Sequence, residues 1–322
     1  MDMISFGSVF LELVFGHVPA LPRPGQEIFA EEFAISCGGA VTSATAAART
    51  GVRAGLCTRL GDDIGGRVVA EHCEREGVDL SPSVRVPRPA TGITMVLNYD
   101  GDRSFVTHLP SVPDDEPPER GRWLDVLRSS RPAWIYVHAG IGLTDFLTAA
   151  RDQGTRVLLD VSLNEIGQAA PAVLDCIPLA DVFTPNRSEL LQLTGARSLD
   201  DALATAATWG TPVVVKMGAD GALITGPDGV AKVGDGVAQV DVADLTGAGD
   251  SFAGAMIGNL LQGAPLAEAV IAANKAGSAA AGRLGAVGPV HVEGLSTVIP
   301  AAIAALSQVT TMQPLTTGEI NA

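Results

Sequence analysis

The chain has 322 residues, of which 47% are hydrophobic and 18% are charged; this composition is typical of a globular protein with a large core and excludes a disordered one. The formal net charge is -15 at pH 7 and the basic residues are scattered, so the chain lacks the clustered Lys and Arg of a nucleic-acid-binding surface. The charge does not exclude a bound nucleotide, because backbone amides can hold phosphate groups.

The cysteines and the first residues predict a reduced, cytoplasmic protein. The cysteines have no C-x-x-C spacing, which argues against a zinc site or a disulfide framework; they are Cys37, Cys57, Cys73 and Cys176. The first residues lack the basic segment of a signal peptide, and Glu12 interrupts their apolar stretch. Every apolar run is broken well short of a membrane span. We expect no membrane partner and no nucleic-acid partner.

Several segments near the amino terminus have strand character. Residues 4–14 alternate and then run apolar, which predicts a strand. Residues 17–33 are rich in Pro and then alternate weakly, which is typical of a small exposed sheet or flap. Residues 91–99 and 103–108 predict a hairpin with Asp100-Gly101 at its turn.

The rest of the chain alternates between helix and strand patterns, after a Pro- and acid-rich loop at residues 110–118. Helices are predicted at residues 41–50, 68–76, 145–153, 187–193, 199–209, 249–261, 266–283 and 296–306. Strands are predicted at residues 134–138, 156–161, 182–185 and 212–217, with a strand-like run at 237–243. This alternation favours an α/β fold with a mainly parallel sheet covered by helices.

Two extended segments interrupt this rhythm and predict a small β-sheet that projects as a lid. We assign the α/β body to residues 1–11, 37–87 and 113–307. The lid then comprises residues 12–36 and 88–112. Residues 308–322 are polar and lack periodicity, so they predict a frayed tail.

One stretch carries a pattern suited to chemistry, the sequence D-L-T-G-A-G-D-S-F-A-G-A at residues 244–255. It follows the strand-like run and begins a helix. The amides of Gly247, Ala248 and Gly249 are the unpaired donors of a helix start, where the helix dipole also favours an anion. The carboxylate of Asp250 lies next to them. A loop that holds phosphate beside a carboxylate that accepts a proton suits phosphoryl transfer to a hydroxyl.

A structural explanation of this stretch also exists. Asp is common in the first turn of helices, and glycine turns commonly precede helices. The stretch is not the dinucleotide fingerprint G-x-G-x-x-G, because the next glycine is Gly254, and it is not a P-loop, because no Lys follows. The motif therefore needs support from other parts of the chain.

That support comes from a series of further motifs. In chain order, they are G-S-V-F-L-E-L, C-G-G-A-V-T-S-A, G-D-D-I-G-G, T-P-N-R-S-E, V-V-V-K-M-G-A-D-G-A and A-A-N-K-A-G-S-A-A-A-G-R-L-G-A. Together with residues 244–255, they resemble the ribokinase-like carbohydrate kinases of the PfkB family over nearly the whole chain. The resemblance implies a three-layer α/β/α body with a mainly parallel sheet and a small β-sheet lid. It also implies ATP as co-substrate.

The resemblance assigns catalytic roles to residues 247–250. It implies that Asp250 is the general base that takes the proton from the acceptor hydroxyl. Gly247, Ala248 and Gly249 would form the anion hole for the transferring phosphoryl group.

The resemblance also implies an ATP site. Asn186 and Glu189 match an N-x-x-E motif that orders Mg²⁺ and phosphate, usually through water. A first-turn helix carboxylate is the structural alternative for Glu189. The positions that match the nucleotide-binding segments are Lys216, Gly218, Gly221 and Gly249 near the phosphates and ribose, and Asn274 near the adenine.

The resemblance also implies a site for a monovalent cation such as K⁺. Asp244 and Thr246 match positions at which many relatives bind such an ion, and Gly285, which with Ala286 follows the last core helix, would add a carbonyl. An Asp at position 244 could instead cap a turn.

The acceptor side departs from the family pattern. Glu12 stands where the family usually has Asp, and Ser43 stands where it usually has Asn. Gly38, Gly39 and the pair Asp62-Asp63 match the pattern, whereas Leu245 replaces a hydroxyl residue. We therefore expect Glu12, Gly38, Gly39, Ser43 and Asp250 to contact an acceptor other than ribose. His108 either faces the acceptor or is an exposed residue at a hairpin end.

Three functions stay open. The first is an ATP-dependent kinase of a sugar or polyol. The second is a nucleoside kinase with phenylalanines in or next to the lid near a base, namely Phe10, Phe15, Phe29, Phe33 and Phe105. The third is a sugar- or nucleotide-binding sensor without catalysis. We also expect a homodimer through the lid, with an apolar face supplied by Phe29, Phe33, Ile93, Val96 and Phe105.

Overall fold

An eight-stranded sheet forms the centre of the fold in a computed structural model that describes residues 1–99, 102–111, 119–226 and 229–290. From one edge to the other, and numbered in chain order, its strands are β14 (Gly229–Val233), β13 (Ala222–Gly226), β12 (Val213–Lys216), β11 (Val182–Phe183), β10 (Arg156–Asp160), β9 (Trp134–His138), β1 (Met3–Phe6) and β4 (Ala54–Cys57). The strands from β12 to β4 pair in parallel, and β13 and β14 add an antiparallel edge.

Helices cover both faces of this sheet. They are α1 (Ala40–Ala48), α2 (Ile64–Glu76), α3 (Glu119–Ser130), α4 (Thr144–Asp152), α5 (Leu163–Cys176), α6 (Arg187–Thr194), α7 (Leu199–Ala207), α8 (Ala248–Leu261) and α9 (Leu266–Ala281). Alternate strand residues point to opposite faces, so Ile135 and Val137 pack with α3 to α7. Trp134 and Tyr136 pack with α1, α8 and α9. The predicted three-layer α/β/α body is confirmed.

A four-stranded sheet forms the lid. Its order is β3 (Glu32–Gly39), β2 (Val9–Gly16), β7 (Gly92–Tyr99) and β8 (Asp102–His108). Strands β2 and β3, from the first predicted lid segment, pair antiparallel with each other. The second segment joins this sheet because β7 pairs in parallel with β2. The lid sheet is thus confirmed, while the exact domain boundaries stay a prediction. Two short strands, β5 (Arg59–Gly61) and β6 (Val84–Val86), pair separately.

The inner face of the lid packs on the body. Val14, Ala34 and Val96 are buried there against Leu284. The expectation that Val96 belongs to an exposed face is therefore wrong, because β7 alternates and its odd-numbered residues, such as Ile93, face outward. Exposed apolar side chains do remain on the lid, and they include Phe29, Phe33, Ile93, Met95 and Phe105. Dimerisation through the lid stays a prediction.

The predicted helices and parallel strands that fall within the described residues are present with somewhat different ends, but two strand predictions are wrong. Residues 4–14 form two strands in different sheets, since the chain leaves β1 at Phe6 and enters the lid at Val9. Residues 237–243 form no strand, because this segment runs beside α9, where the amides of Ala243 and Asp244 donate to the carbonyl of Ala281.

Some elements were not predicted. Helix α5 contains Pro171 and a non-helical residue, Ala169, which interrupt its periodicity. Helix α3 and the antiparallel strands β13 and β14 were also missed. The predicted turn at residues 100–101, the loop at 112–118, the helix at 296–306 and the tail at 308–322 lie outside the described residues. Among the helices of the described ranges, none has the length and hydropathy of a membrane span.

Candidate active site

The start of helix α8 lies between two cavities. Asp250 lines a cavity of about 490 Å³, which we call the Asp250 cavity. The preceding residues, Ala248 and Gly249, line another cavity of about 340 Å³ together with Lys216, which we call the Lys216 cavity. Consecutive residues of one helix turn therefore face two separate binding spaces.

Glycine is required at position 247 for two reasons. Gly247 has a φ of 73°, in the left-handed region that other residues rarely adopt. A Cβ atom there would also lie 2.5 Å from the Cβ and 2.7 Å from the Cα of Ala286. The loop that ends α9 thus packs directly on the glycine turn that begins α8.

Asp244 holds these two loops together. One carboxylate oxygen accepts hydrogen bonds from the amide and the hydroxyl of Thr246, at 2.8 and 2.6 Å, and the other accepts from the amide of Gly285 at 2.9 Å. Both oxygens thus accept from protein donors, through the cap of the local turn at Thr246 and the bond between loops from Gly285. The monovalent cation at Asp244, Thr246 and Gly285 stays a prediction without support from this geometry.

The predicted anion hole is partly open. Within the described part of the chain, the amides of Gly247 and Gly249 donate no backbone hydrogen bond, whereas the amide of Ala248 donates to Leu245 at 3.3 Å. The ammonium of Lys216 lies near Gly249, 3.2 Å from the position of a Cβ atom built there. Two amides and one ammonium group thus gather at the positive end of α8.

Asp250 is held by residues that the sequence analysis did not single out. The Tyr136 hydroxyl donates to Oδ1 of Asp250 at 2.6 Å, and Nε2 of His138 lies 3.8 Å from the same oxygen. Burial favours a higher pKa for Asp250, but His138, Tyr136 and the charge of Lys216 outweigh burial and lower this pKa. The carboxylate is therefore ionised at neutral pH.

His138, Asp160 and Lys216 are the last residues of the parallel strands β9, β10 and β12, and Tyr136 lies two residues before the end of β9. Lys216 Nζ donates to both oxygens of Asp160, each at 2.9 Å, and the Tyr136 hydroxyl lies 3.3 Å from Asp160 Oδ2. The carboxyl ends of parallel strands meet at one edge, where ligands commonly bind. Polar residues at the ends of the predicted apolar strands could have revealed this cluster.

Asn186 and Glu189 form a capping box at the start of α6. Asn186 Oδ1 accepts from the amide of Glu189 at 2.9 Å, and Glu189 Oε2 accepts from the amide of Asn186 at 2.7 Å. Burial, with the nearby charge of Asp160, raises the pKa of Glu189 to about 7 despite the positive charge of Lys216. Glu189 is thus a first-turn helix carboxylate, but its Oε1 takes no part in the capping box.

Glycines and Asn274 shape the Lys216 cavity. Gly218 and Gly221 both have positive φ angles, and a Cβ on Gly221 would lie 2.4 Å from the carbonyl oxygen of Val233. The Asn274 amide group donates to the carbonyls of Val233 and Asp235, at 3.1 and 2.9 Å, so it fixes the cavity wall. The predicted nucleotide residues Lys216, Gly218, Gly221, Gly249 and Asn274 all line this cavity.

Glu12 connects the lid to the body. Its Oε2 accepts from the amide of Ala286 at 3.1 Å, and a Cβ on Gly38 would overlap its Oε1, so the glycine leaves room for the carboxylate in this position. Burial, and then the charges of Asp244 and Asp250, raise the pKa of Glu12 to about 7 although the Ala286 bond opposes this.

This pKa predicts pH-dependent stability. The folded protein binds a proton at Glu12 more tightly than the unfolded chain, in which the pKa of this side chain is 4.5. The free energy of unfolding therefore falls as pH rises from about 4.5 to about 7. We expect Glu12→Gln to increase the free energy of unfolding by up to about 3 kcal/mol at about pH 8 and little at about pH 4.5. Urea unfolding measures both values. Glu31→Gln, at an exposed residue, serves as the control, and equal effects of Glu12→Gln at both pH values would contradict the assignment.

The predicted acceptor residues differ in whether they line the Asp250 cavity. Gly39 lines the Asp250 cavity, but Glu12, Gly38, Ser43 and His108 do not. Ser43 is buried because its hydroxyl bonds Ser5 Oγ at 2.7 Å and the carbonyl of Ala40 at 3.1 Å. His108 is exposed at the end of β8.

Asp63 of the predicted Asp62-Asp63 pair has a structural role. It caps α2 by accepting from the amide of Gly66 at 2.7 Å. Its second oxygen accepts from the amides of Ala90 and Thr91, at 2.9 and 3.0 Å.

Aromatic rings line much of the Asp250 cavity, and they come from Phe6, Phe10, Trp123 and Tyr136. Its polar lining includes Ser8, His138, Glu165, Gln168 and Asp250. Among the described residues, no Lys or Arg lines this cavity. The cavity therefore suits a neutral molecule with hydroxyl groups and an apolar or planar face. Of the lid phenylalanines that the nucleoside hypothesis invoked, Phe10 is the one on this wall.

Comparison with known families and proteins identifies the class of this enzyme. Residues 13–292 match the pfkB family of carbohydrate kinases. Aminoimidazole riboside kinase of Salmonella typhimurium is 32% identical over 269 residues, which cover 74% of this chain and 80% of that protein. The protein therefore belongs to the pfkB family of carbohydrate kinases. It is an ATP-binding sugar or nucleoside kinase.

Solved structures share the fold. A putative ribokinase II from E. coli, in its apo form, has a TM-score of 0.74 and 21% identity, with 94% of this chain and all (100%) of that chain covered. Aminoimidazole riboside kinase from Salmonella enterica, complexed with aminoimidazole riboside and an ATP analog, has a TM-score of 0.69 and 25% identity, and the match covers 92% and 99% of the two chains.

Proposed function

We propose that this enzyme transfers the γ-phosphoryl group of ATP to a hydroxyl of a neutral, sugar-containing acceptor, with Asp250 as general base. One observation carries the proposal: Gly249 faces the Lys216 cavity, and the next residue, Asp250, faces the Asp250 cavity. A nucleotide in the first cavity and an acceptor in the second would meet at the start of α8.

The proposed reaction is an in-line displacement at phosphorus. The acceptor oxygen forms a bond to the γ-phosphorus, the bond from this phosphorus to the bridging oxygen of ADP breaks, and the acceptor proton passes to Asp250. Tyr136 occupies Oδ1 of Asp250, which leaves Oδ2 for this proton. The amides of Gly247 and Gly249, with Lys216, would stabilise the charge on the transferring group.

Mg²⁺ fits this site through water. In the described ranges, no group of three or more His, Cys, Asp or Glu side chains forms a ready metal site. Glu189 offers Oε1 outside its capping box. Burial raises the pKa of this carboxyl, and a nearby cation would favour its ionised form. Mg²⁺ keeps much of its hydration shell, so Glu189 would hold it indirectly, and the ion would neutralise phosphate charge.

A nucleoside acceptor is the second candidate, because aromatic side chains line the Asp250 cavity. Base stacking on such rings is favourable. The relatives include a kinase named for a free sugar and one named for a riboside. Ribokinase of Haemophilus influenzae is 25% identical over 270 residues, and the Salmonella kinase is named for an aminoimidazole riboside.

A panel of acceptors tests the proposal. ADP formation is measured with ATP, Mg²⁺ and K⁺, using ribose, deoxyribose, fructose, adenosine and aminoimidazole riboside. We expect turnover with at least one of them and none with the anionic compounds gluconate and ribose 5-phosphate. A higher kcat/KM for the ribosides, abolished selectively by Phe10→Ala, would favour the nucleoside kinase. Tight calorimetric binding of ATP and an acceptor without turnover would instead support the sensor.

A further inference from the structure

His138 lies in a chain of polar contacts that ends at Asp250. Its Nδ1 lies 3.1 and 3.2 Å from the two oxygens of Glu165, and its Nε2 lies 2.9 Å from the Tyr136 hydroxyl. The hydroxyl in turn lies 2.6 Å from Asp250 Oδ1. His138 and Glu165 both line the Asp250 cavity, but the reaction proposed above uses neither of them.

The number of protons available in this series of contacts determines which group donates in each hydrogen bond. Ionised carboxylates only accept hydrogen bonds, and a tyrosine hydroxyl has one proton to donate. The shortest contact of the Tyr136 hydroxyl is with Asp250, so its proton points there. Both ring nitrogens of His138 must then donate, Nδ1 to Glu165 and Nε2 to Tyr136. The arrangement therefore requires a doubly protonated His138.

Glu165 is itself fixed in place. It belongs to the capping box of α5, in which the amide of Ser162 donates to its Oε2 at 2.6 Å and its own amide donates to Ser162 Oγ at 3.4 Å. These bonds orient the carboxylate toward His138 before any substrate binds. The capping box thus holds the carboxylate that contacts His138.

The charges around His138 favour its protonated form. Glu165 on α5, Asp250 on α8 and Asp160 on β10 are negative, and Lys216 on β12 is paired with Asp160. Burial alone would lower the pKa of His138, but the bonds to Asp250 and Glu165 outweigh burial and raise it well above its ordinary value. The side chain is 38% exposed to the cavity, so solvent screens part of this effect.

We propose that Tyr136 and His138 are positioning residues for the general base. Tyr136 holds Oδ1 of Asp250, so that Oδ2 faces the acceptor, and His138, bonded to Glu165, keeps the Tyr136 proton directed at Asp250. When His138 loses its proton, the Tyr136 hydroxyl can donate to Nε2 instead, and Asp250 loses its hydrogen bond. This inference depends on the proposed role of Asp250.

Nitrogen NMR of histidine tests the protonation directly. The chain has five histidines, and His138→Gln identifies the signal of His138 in protein labelled with ¹⁵N-histidine. We expect both nitrogens of His138 to remain protonated at about pH 8, well above the ordinary histidine pKa of about 6.5. Glu165→Gln should move the titration to lower pH. A neutral His138 at about pH 7.5 would overturn the inference.

Kinetics test the positioning. With the best acceptor of the panel, we expect Tyr136→Phe to lower kcat by about 10- to 100-fold, the range expected for a misplaced catalytic group, while the Kd for ATP changes little. The activity of the wild type should fall at alkaline pH, and Glu165→Gln should shift this fall to lower pH. Tyr99→Phe, at the other tyrosine of the chain, should keep full activity.

A double variant separates this inference from the proposed function. If Tyr136 acts through Asp250, Tyr136→Phe should reduce kcat little further in protein that already carries Asp250→Asn. Loss of activity in Asp250→Asn with full activity in Tyr136→Phe would overturn the positioning role alone. Full activity in Asp250→Asn would overturn the proposed base itself. Thermal unfolding and ATP titration show which variants are folded.

Discussion

Asp250→Asn should lower kcat by a factor of about 10² to 10⁴, the contribution typical of a general base. Asn has nearly the same shape as Asp but cannot take the acceptor proton, and it faces the same cavity. The Kd for ATP should change little, because the groups that line the Lys216 cavity, such as Gly249 and Lys216, are unchanged. Steady-state kinetics with the best acceptor and calorimetric titration of ATP measure the two effects.

The control for this prediction addresses the structural explanation of the motif. Asp145 is, like Asp250, an acidic residue in the first turn of a helix, and it is exposed. Asp145→Asn removes a similar interaction with a helix dipole, which contributes about 0.3–1 kcal/mol to stability, and should leave kcat unchanged. Equal, small effects of the two substitutions would mean that Asp250 is only a favourable first-turn residue.

Gly247→Ala should reduce both stability and turnover. An alanine at a φ of 73° is strained, and its Cβ would come within 2.9 Å of three atoms of Ala286. Strain of about 1–2 kcal/mol and overpacking of about 1–3 kcal/mol would together lower the free energy of unfolding. Because the turn presents the amides of the anion hole, we also expect kcat to fall by about 10² to 10³. Urea unfolding and kinetics measure these changes.

Gly263 offers a matched control for Gly247. It follows α8, has a φ of 88°, and has no atom within 4 Å of a built Cβ. Gly263→Ala therefore introduces only the left-handed strain, about 1–2 kcal/mol, and should retain full turnover. If Gly247→Ala were as stable and active as Gly263→Ala, the close packing of Ala286 on the turn would have no role in the site.

The sequence predicted best those features whose partners are close along the chain. The glycine turn and Asp250 are contiguous, and Glu189, whose structural alternative was a first-turn helix carboxylate, bonds Asn186 three positions away. The alternation of helices and apolar strands predicted the mainly parallel sheet, because parallel strands need helical crossovers. Residues 4–14 were predicted as one strand, because their pattern does not show that β1 and β2 belong to different sheets.

The hydrogen bonds of the predicted acceptor residues could not be predicted, because they join distant segments. Ser43 was expected in the site from its position in a motif, but the packing of α1 turns it toward Ser5. Glu12 was expected to bind the acceptor, which stays a prediction, and its Oε2 accepts from the amide of Ala286, 274 positions away. No pattern within either segment indicates these partners.

By itself, the amino-acid sequence determined the class of fold, the glycine turn and the carboxylate beside it, because their hydrogen bonds and periodicities are local. Only the tertiary structure decided what surrounds Asp250. Tyr136 lies 114 positions from Asp250, and Glu165 lies 27 positions from His138. These residues meet because strand order brings the ends of β9, β10 and β12 to one edge of the sheet, and strand order is a property of the whole chain.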